Sequence, residues 1–180
     1  MNEGAAAGVT RILAEAGFHD HQWVRPSELV ISQWVRVKCM FGCPDYGRNA
    51  SCPPHVPSVP ECRELLREYS RALLIHLPCK VPPDGRRQWC LENQERLVEV
   101  ERRVFLSGFE KAFLLSFDNC NLCDECVSEP SDCRFPYKRR PTMEAFAIDV
   151  YSSVKKYGYT LSVKKNRLEE PDRFALLLVE

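Results

Sequence analysis

The apolar positions along the chain fall into short runs whose period changes several times. Between Gly4 and Gly17, Val9, Ile12, Leu13 and Ala16 recur at helical spacing and Gly17 supplies a stop, which predicts an amphipathic helix. Leu29–Val37 (LVISQWVRV) is rich in β-branched and aromatic residues and predicts a strand running into Cys39. Residues 60–71 (PECRELLREYSR) predict a helix with proline in its first turn and Leu65, Leu66 and Tyr69 facing inward. Ala72–Leu77 (ALLIHL) predicts a buried strand, followed by a Pro/Gly turn at Val81–Gly85. From Gln88 to Leu106, apolar residues spaced among charges predict a long helix ended by Gly108. Lys111–Phe117 (KAFLLSF) predicts a second buried strand that delivers the chain to Cys120. Pro141–Tyr157 reads as a helix capped by Gly158, and Tyr159–Val163 and Phe174–Val179 read as two strands joined by a charged, proline-containing connection.

This order predicts an α+β fold, with a single mixed sheet, helices packed on it, and two Cys-rich metal-binding loops. No internal repeat or low-complexity segment interrupts it. One domain over residues 1–180 is expected, with residues 1–28 as an N-terminal helix and linker.

Composition changes the picture at one point. Hydrophobic residues make up 44% of the 180, enough for a real core. The 25 basic residues balance the 25 acidic ones, so net charge supports neither a nucleic-acid nor a membrane-surface role. No run approaches the ~18–20 apolar residues of a membrane span. Cysteine is the outlier, at 10 residues. The N-terminus MNEGAAAGV carries Glu3 where an export signal would be basic, so a cytoplasmic protein with reduced, metal-binding thiols is expected rather than a disulfide framework.

Two loops concentrate the cysteines. The stronger signal is Cys120-x2-Cys123-x2-Cys126-x6-Cys133-x2-Pro136 (CNLCDECVSEPSDCRFP). Three thiols each two residues apart can wrap one side of a cuboidal cluster. Bacterial ferredoxins open in the same way, and there the fourth cysteine can serve a second cluster. Zinc is the competitor, but it prefers two cysteine pairs set well apart. The second signal is Cys39-x3-Cys43-x8-Cys52-Pro53-Pro54 (CMFGCPDYGRNASCPP), where glycines and prolines impose turns around a bulky centre. Its missing corner has three candidates: Cys62 in the first turn of a predicted helix, Cys133 crossing over, or an iron left open for chemistry. A radical-SAM reading fails, because its third cysteine follows after two residues rather than eight.

The remaining candidates carry weaker signals. Cys79 and Cys90 read as small buried hydrophobes. His76 reads as a satisfied core histidine, and His55 as a loop residue near the first set. Arg134, Lys138, Arg139 and Arg140 follow the second loop, where cations would offset an anionic cluster or simply face solvent.

Taken together, KCMFGCPDYGRNASCPPHVP and NCNLCDECVSEPSDCRFPYKRRPTMEAFAIDV resemble a prokaryotic family of small Cys-rich predicted metal-binding proteins, the domain of unknown function 2284. The resemblance covers Val35–Val150. It implies Cys39, Cys43, Cys52, Cys120, Cys123, Cys126 and Cys133 as the metal set, and a segment from Arg140 to Asp149 packed beneath the second loop. It implies no particular reaction.

The expected function is therefore that of an iron–sulfur redox protein. It would carry one or two 4Fe-4S clusters and exchange electrons with a partner enzyme in anaerobic metabolism. The alternatives are a cluster-dependent enzyme with an open iron at the Cys39/Cys43/Cys52 loop, and a zinc-stabilised interaction module.

Overall fold

Two strands are apolar at nearly every position, the pattern of strands covered on both faces. In a computed structural model that describes residues 3–163, 165–166, 169 and 172–180, these strands lie side by side in a four-stranded sheet of order β1-β2-β4-β3. They are β2 (Ala72–Pro78) and β4 (Asp172–Leu178), paired antiparallel from Ala72↔Leu178 to Pro78↔Asp172. The edge strands β1 (His21–Val24) and β3 (Phe113–Leu115) are also antiparallel to their neighbours. The sheet is thus antiparallel throughout rather than mixed, because each connection between paired strands reverses the chain. A lone parallel bridge, Ser116↔Thr142, lies outside the named strands.

Side chains alternate between the two faces. Leu73, Ile75 and Leu177 pack against α1 (Glu3–Glu15) and α4 (Arg86–Leu106), through Val9, Leu13, Leu97 and Val104. Leu74, Leu176 and Leu178 pack on the other side against α3 (Val59–Arg67), α5 (Val150–Lys155) and the turns around Met143, Phe146 and Ile148. Truncating a fully buried leucine such as Leu176 to alanine would cost about 2–5 kcal/mol. The helices and sheet make an α+β fold. Among the described residues, no helix is long and apolar enough to cross a membrane.

Several elements differ from the expectations. His21–Val24 joins the sheet, so the first 28 residues contain a strand as well as a helix and connector. The predicted strand Leu29–Val37 is replaced by α2 (Gln33–Gly42). Its extended part ends at Ile31, which bridges Ile148. The Ser32 N–H donates to Ala147 O, and the chain then coils, seating Arg36 inward against the Pro57 and Ala145 carbonyls. Tertiary hydrogen bonding overrides the β propensity of Val35 and Val37 here.

The predicted helix Pro141–Tyr157 is helical only from Val150. Its first half pairs instead with Ser116 and Val30, through Ser116 N to Pro141 O, Met143 N to Ser116 O and Asp149 N to Val30 O. Asp149 then caps α5 by accepting from Ser152 N. Helix α3 starts one residue earlier than expected, under a capping box in which Ser58 and Glu61 bond reciprocally. Tyr159–Val163 is irregular, and much of the connection expected beyond it, including Pro171, lies outside the described residues.

Candidate metal centre

Strand β3 ends at Leu115, and the chain runs through Ser116–Asn119 into the second Cys-rich stretch, which is irregular apart from a 3₁₀ turn at Pro130–Asp132. Here Cys120, Cys123, Cys126 and Cys133 line one small cavity. Its wall also includes Asn49, Ala50 and Ser51 of the first Cys-rich stretch, the cations Arg134 and Arg139, and the apolar Leu122, Val127 and Phe135. The Ala50 N–H points to Cys126 Sγ at 3.4 Å. Two buried polar atoms of residues in this wall, Ser51 Oγ and Arg139 Nε, have no hydrogen-bond partner among the described residues. The thiols enclose about 20 Å³ of free space, roughly room for one water.

Helix α2 delivers Cys39 and ends just before Cys43. The chain then turns through Gly47, whose φ of +68° lies in the left-handed region that glycine tolerates. Its N–H closes the turn on Pro53 O at 2.9 Å, which folds Cys52 back toward Cys43. Cys39, Cys43 and Cys52 line a second cavity of about 220 Å³, together with Asp45, Asp118 and Glu144. A cleft of about 760 Å³ adjoins it and shares Cys39, Cys43, Glu144 and Arg173.

A family model described as Predicted metal-binding protein (DUF2284) matches residues 22–179. The chain belongs to this family. Comparison with curated proteins and with solved structures gives no significant match. For a predicted metal-binding family the donor set is apt, since soft thiolates suit iron–sulfur groups and zinc. Among the described residues, however, no group of three or more His, Cys, Asp or Glu side chains is arranged to hold a single metal ion.

The DUF2284 thiols sit in crowded surroundings. Burial pushes Cys52 up to about 12, and the neighbouring Asp45, Cys43, Cys39 and Cys120 add to the rise. Burial raises Cys120 too, with Cys126, Cys133 and Cys123 adding to it, and it raises Cys39 together with Cys43. Clustered thiols that resist ionisation are the condition in which binding a metal displaces protons. Asn119 beside Cys120 donates to Asp45 at 3.1 Å, which ties the second stretch to the wall of the Cys39/Cys43/Cys52 cavity.

Other expected residues fall into place around them. All ten cysteines are free. Cys62 lies in the core beneath the sheet, its thiol directed to Pro57 O, and lines neither cavity. Cys79 and Cys90 are buried, and Cys90 Sγ donates to Asp118 Oδ2 at 2.9 Å. His76 bridges Asp20 and Asp172 at 2.6 and 3.1 Å, while His55 lines neither cavity. Of the cations after the second loop, Arg139 reaches Ala50 O, Lys138 pairs with Glu95, and Arg140 pairs with Glu101. The segment from Arg140 to Asp149 joins the root of the second loop at Ser116, but its Thr142, Glu144 and Ala145 line the Cys39/Cys43/Cys52 cavity.

Three residues escaped the sequence reading. Asn49 is buried and spans the two loops, donating to Cys120 O at 3.2 Å and accepting from Ser51 N at 2.9 Å. Arg173 reaches Asp118 from the start of β4. Glu144 is open to solvent, yet crowded enough that desolvation raises its pKa against smaller opposing effects of its own amide and the Thr142 hydroxyl. It lines both the Cys39/Cys43/Cys52 cavity and the adjoining cleft. No motif spacing announces any of the three.

Proposed function

We propose that this protein is an iron–sulfur redox protein that exchanges single electrons with a partner enzyme. In this reading Cys120, Cys123, Cys126 and Cys133 hold one 4Fe-4S cluster, and Cys39, Cys43 and Cys52 belong to a second. The observation that carries it is the single cavity lined by all four cysteines of the second stretch, with Ser51 and Arg139, each bearing a buried polar atom unpartnered among the described residues, in its wall. A cluster's sulfurs take weak hydrogen bonds of the kind those atoms and the Ala50 N–H offer, and such bonds help set its potential.

The two-residue gaps between Cys120, Cys123 and Cys126 favour a bulky centre over zinc, which prefers two cysteine pairs set well apart. Zinc would draw its sulfurs to about 2.3 Å from one point. Seating a cluster requires the four thiols to swing apart around their 20 Å³ of space. The irregular backbone of the loop leaves them freer to do so than a strand ladder would.

When bound, such a cluster supplies a reversible electron couple. The residues around it hold and insulate it. Arg139 and Arg134 bring positive charge to an anionic group, and Asn49 ties its two walls together. The partner side of the reading rests on α2, where Trp34, Val37 and Phe41 share one face and are 48%, 42% and 83% exposed beside Cys43. The ten free thiols suit a reducing, cytoplasmic setting.

A second reading, a cluster-dependent enzyme, is favoured by one observation. The 760 Å³ cleft bordering Cys39 and Cys43 is the size of a small-molecule site. The test common to both is iron and acid-labile sulfide content of protein purified without oxygen. Equal amounts, at about four or about eight per chain, with absorbance that bleaches on reduction, are expected. Zinc without sulfide overturns both readings in favour of a structural zinc module.

A further inference from the structure

The first cysteine set is one donor short, and Cys62 does not supply it. Its thiol points to Pro57 O within the core beneath the sheet. The cavity lined by Cys39, Cys43 and Cys52 presents three carboxylates instead. Two of these are committed elsewhere. Asp118 accepts from Cys90, Arg173 and the Asn119 N–H, and Asp45 accepts from the Asn119 side chain at 3.1 Å. Glu144 is less committed: its own amide and the Thr142 hydroxyl bond it, and the charge of Arg173 attracts it from the same cavity. It also lies within electrostatic reach of Cys39.

We propose that Glu144 is the fourth donor of the Cys39/Cys43/Cys52 centre, making it a three-thiolate, one-carboxylate site. This rests on the iron–sulfur reading above. Among the described residues Glu144 forms no salt bridge, and it lines the cavity together with Cys39, Cys43 and Cys52. The backbone explains its position. Residues 142–147 give their hydrogen bonds to Ser116 and to one another in tight turns, which presents Glu144 toward α2 instead of along a helix.

The consequence is chemical asymmetry between the two centres. The Cys120/Cys123/Cys126/Cys133 set is closed by thiolates. The other set would end in an oxygen donor, and Glu144, Cys39 and Cys43 also line the 760 Å³ cleft whereas Cys52 does not. The oxygen-ligated corner therefore faces the space from which a small ligand would approach. An oxygen donor leaves iron in a thiolate-rich site more readily than a thiolate does, because iron–sulfur sites favour soft ligands.

The experiment compares full-length protein, purified without oxygen, as wild type and as Glu144→Gln, Glu144→Ala, Glu144→Cys and Glu99→Ala, the last a carboxylate on α4 that lines neither cavity. Iron, sulfide and low-temperature EPR spectra are read with and without added imidazole, and circular dichroism melting checks each fold. The expected result is a change confined to one centre. Glu144→Gln and Glu144→Ala lose about one iron per chain or gain an imidazole-sensitive signal. Glu144→Cys retains its iron with a shifted spectrum that ignores imidazole, and Glu99→Ala matches wild type. Folded Glu144 variants with unaltered spectra and iron content overturn the assignment, as does the Glu144 effect appearing in Glu99→Ala. Wild-type protein without iron and sulfide fails the iron–sulfur reading itself, and this assignment with it.

Discussion

Arg140 grips Glu101 through two hydrogen bonds, Nε to Oε2 at 2.6 Å and Nη2 to Oε1 at 3.0 Å, with the side chains only 18% and 7% exposed. The same guanidinium donates from Nη1 to the Tyr137 and Arg139 carbonyls. It thereby fastens the end of the second Cys-rich loop to the C-terminal part of α4. Burial raises Glu101 more than Arg140 lowers it, so the pair is held by geometry and packing against a real desolvation cost.

Removing one partner leaves the other buried and alone. Glu101→Ala is expected to cost about 3 kcal/mol, which corresponds to roughly 6–12 °C in Tm for a chain of this size. Thermal melting followed by circular dichroism checks this. A loss of metal greater than the loss of fold is also expected, because the loop end would be released.

Asn49 is the tie between the two loops. Asn49→Ala removes its bonds to Cys120 O and Ser51 N from a buried position. A cost of about 1–3 kcal/mol is expected from the groups left unsatisfied. Metal analysis after dilution should show faster loss than from wild type at both centres. Unchanged retention would refute the role given to Asn49.

The cysteines separate by location. Cys126→Ser, at the cavity where the Ala50 N–H meets the sulfur, is expected to remove or degrade the second-loop centre. Cys62→Ser, in the core beneath the sheet, should leave iron and sulfide content unaltered while lowering stability. Iron lost from Cys62→Ser in proportion to a missing ligand would return that residue to the donor set.

Asp20 gives a pH signature away from the thiols. Burial raises it, but hydrogen bonds from Tyr159 Oη at 2.7 Å and from His76, together with the positive field of the histidines, outweigh that and hold it below the usual range. A depressed folded-state value stabilises the protein above the unfolded value of about 3.9, and the benefit is lost as pH falls through the folded value. Asp20→Asn should therefore melt below wild type at pH 7. The gap should close as both are titrated below about pH 4. A gap that persists at pH 3 would assign the effect to packing.

The sequence carried the parts of this protein that depend on local pattern. The apolar runs at 72–77 and 174–179 determine two strands covered on both faces. The 3.6-residue period determines α1 and α4, and Gly17 and Gly108 end them with positive φ. Cysteine spacing alone pointed to two groups, and tertiary structure put each group on its own cavity. Patterning misled where long-range hydrogen bonds outcompete propensity, as at Ser32, which turns on Ala147, and at Met143, which pairs with Ser116.

What only the tertiary structure decided is which distant residues meet. Asn49 reaches Cys120 across 71 positions, and Glu144 lines one cavity with Cys39 from more than a hundred positions away. Cys62, by contrast, is turned into the core by the face of α3 it occupies. Spacing encodes donors that share one loop, because a short chain can fold round a single centre. A donor from elsewhere in the chain is set by how the sheet and helices pack, and so leaves no local trace.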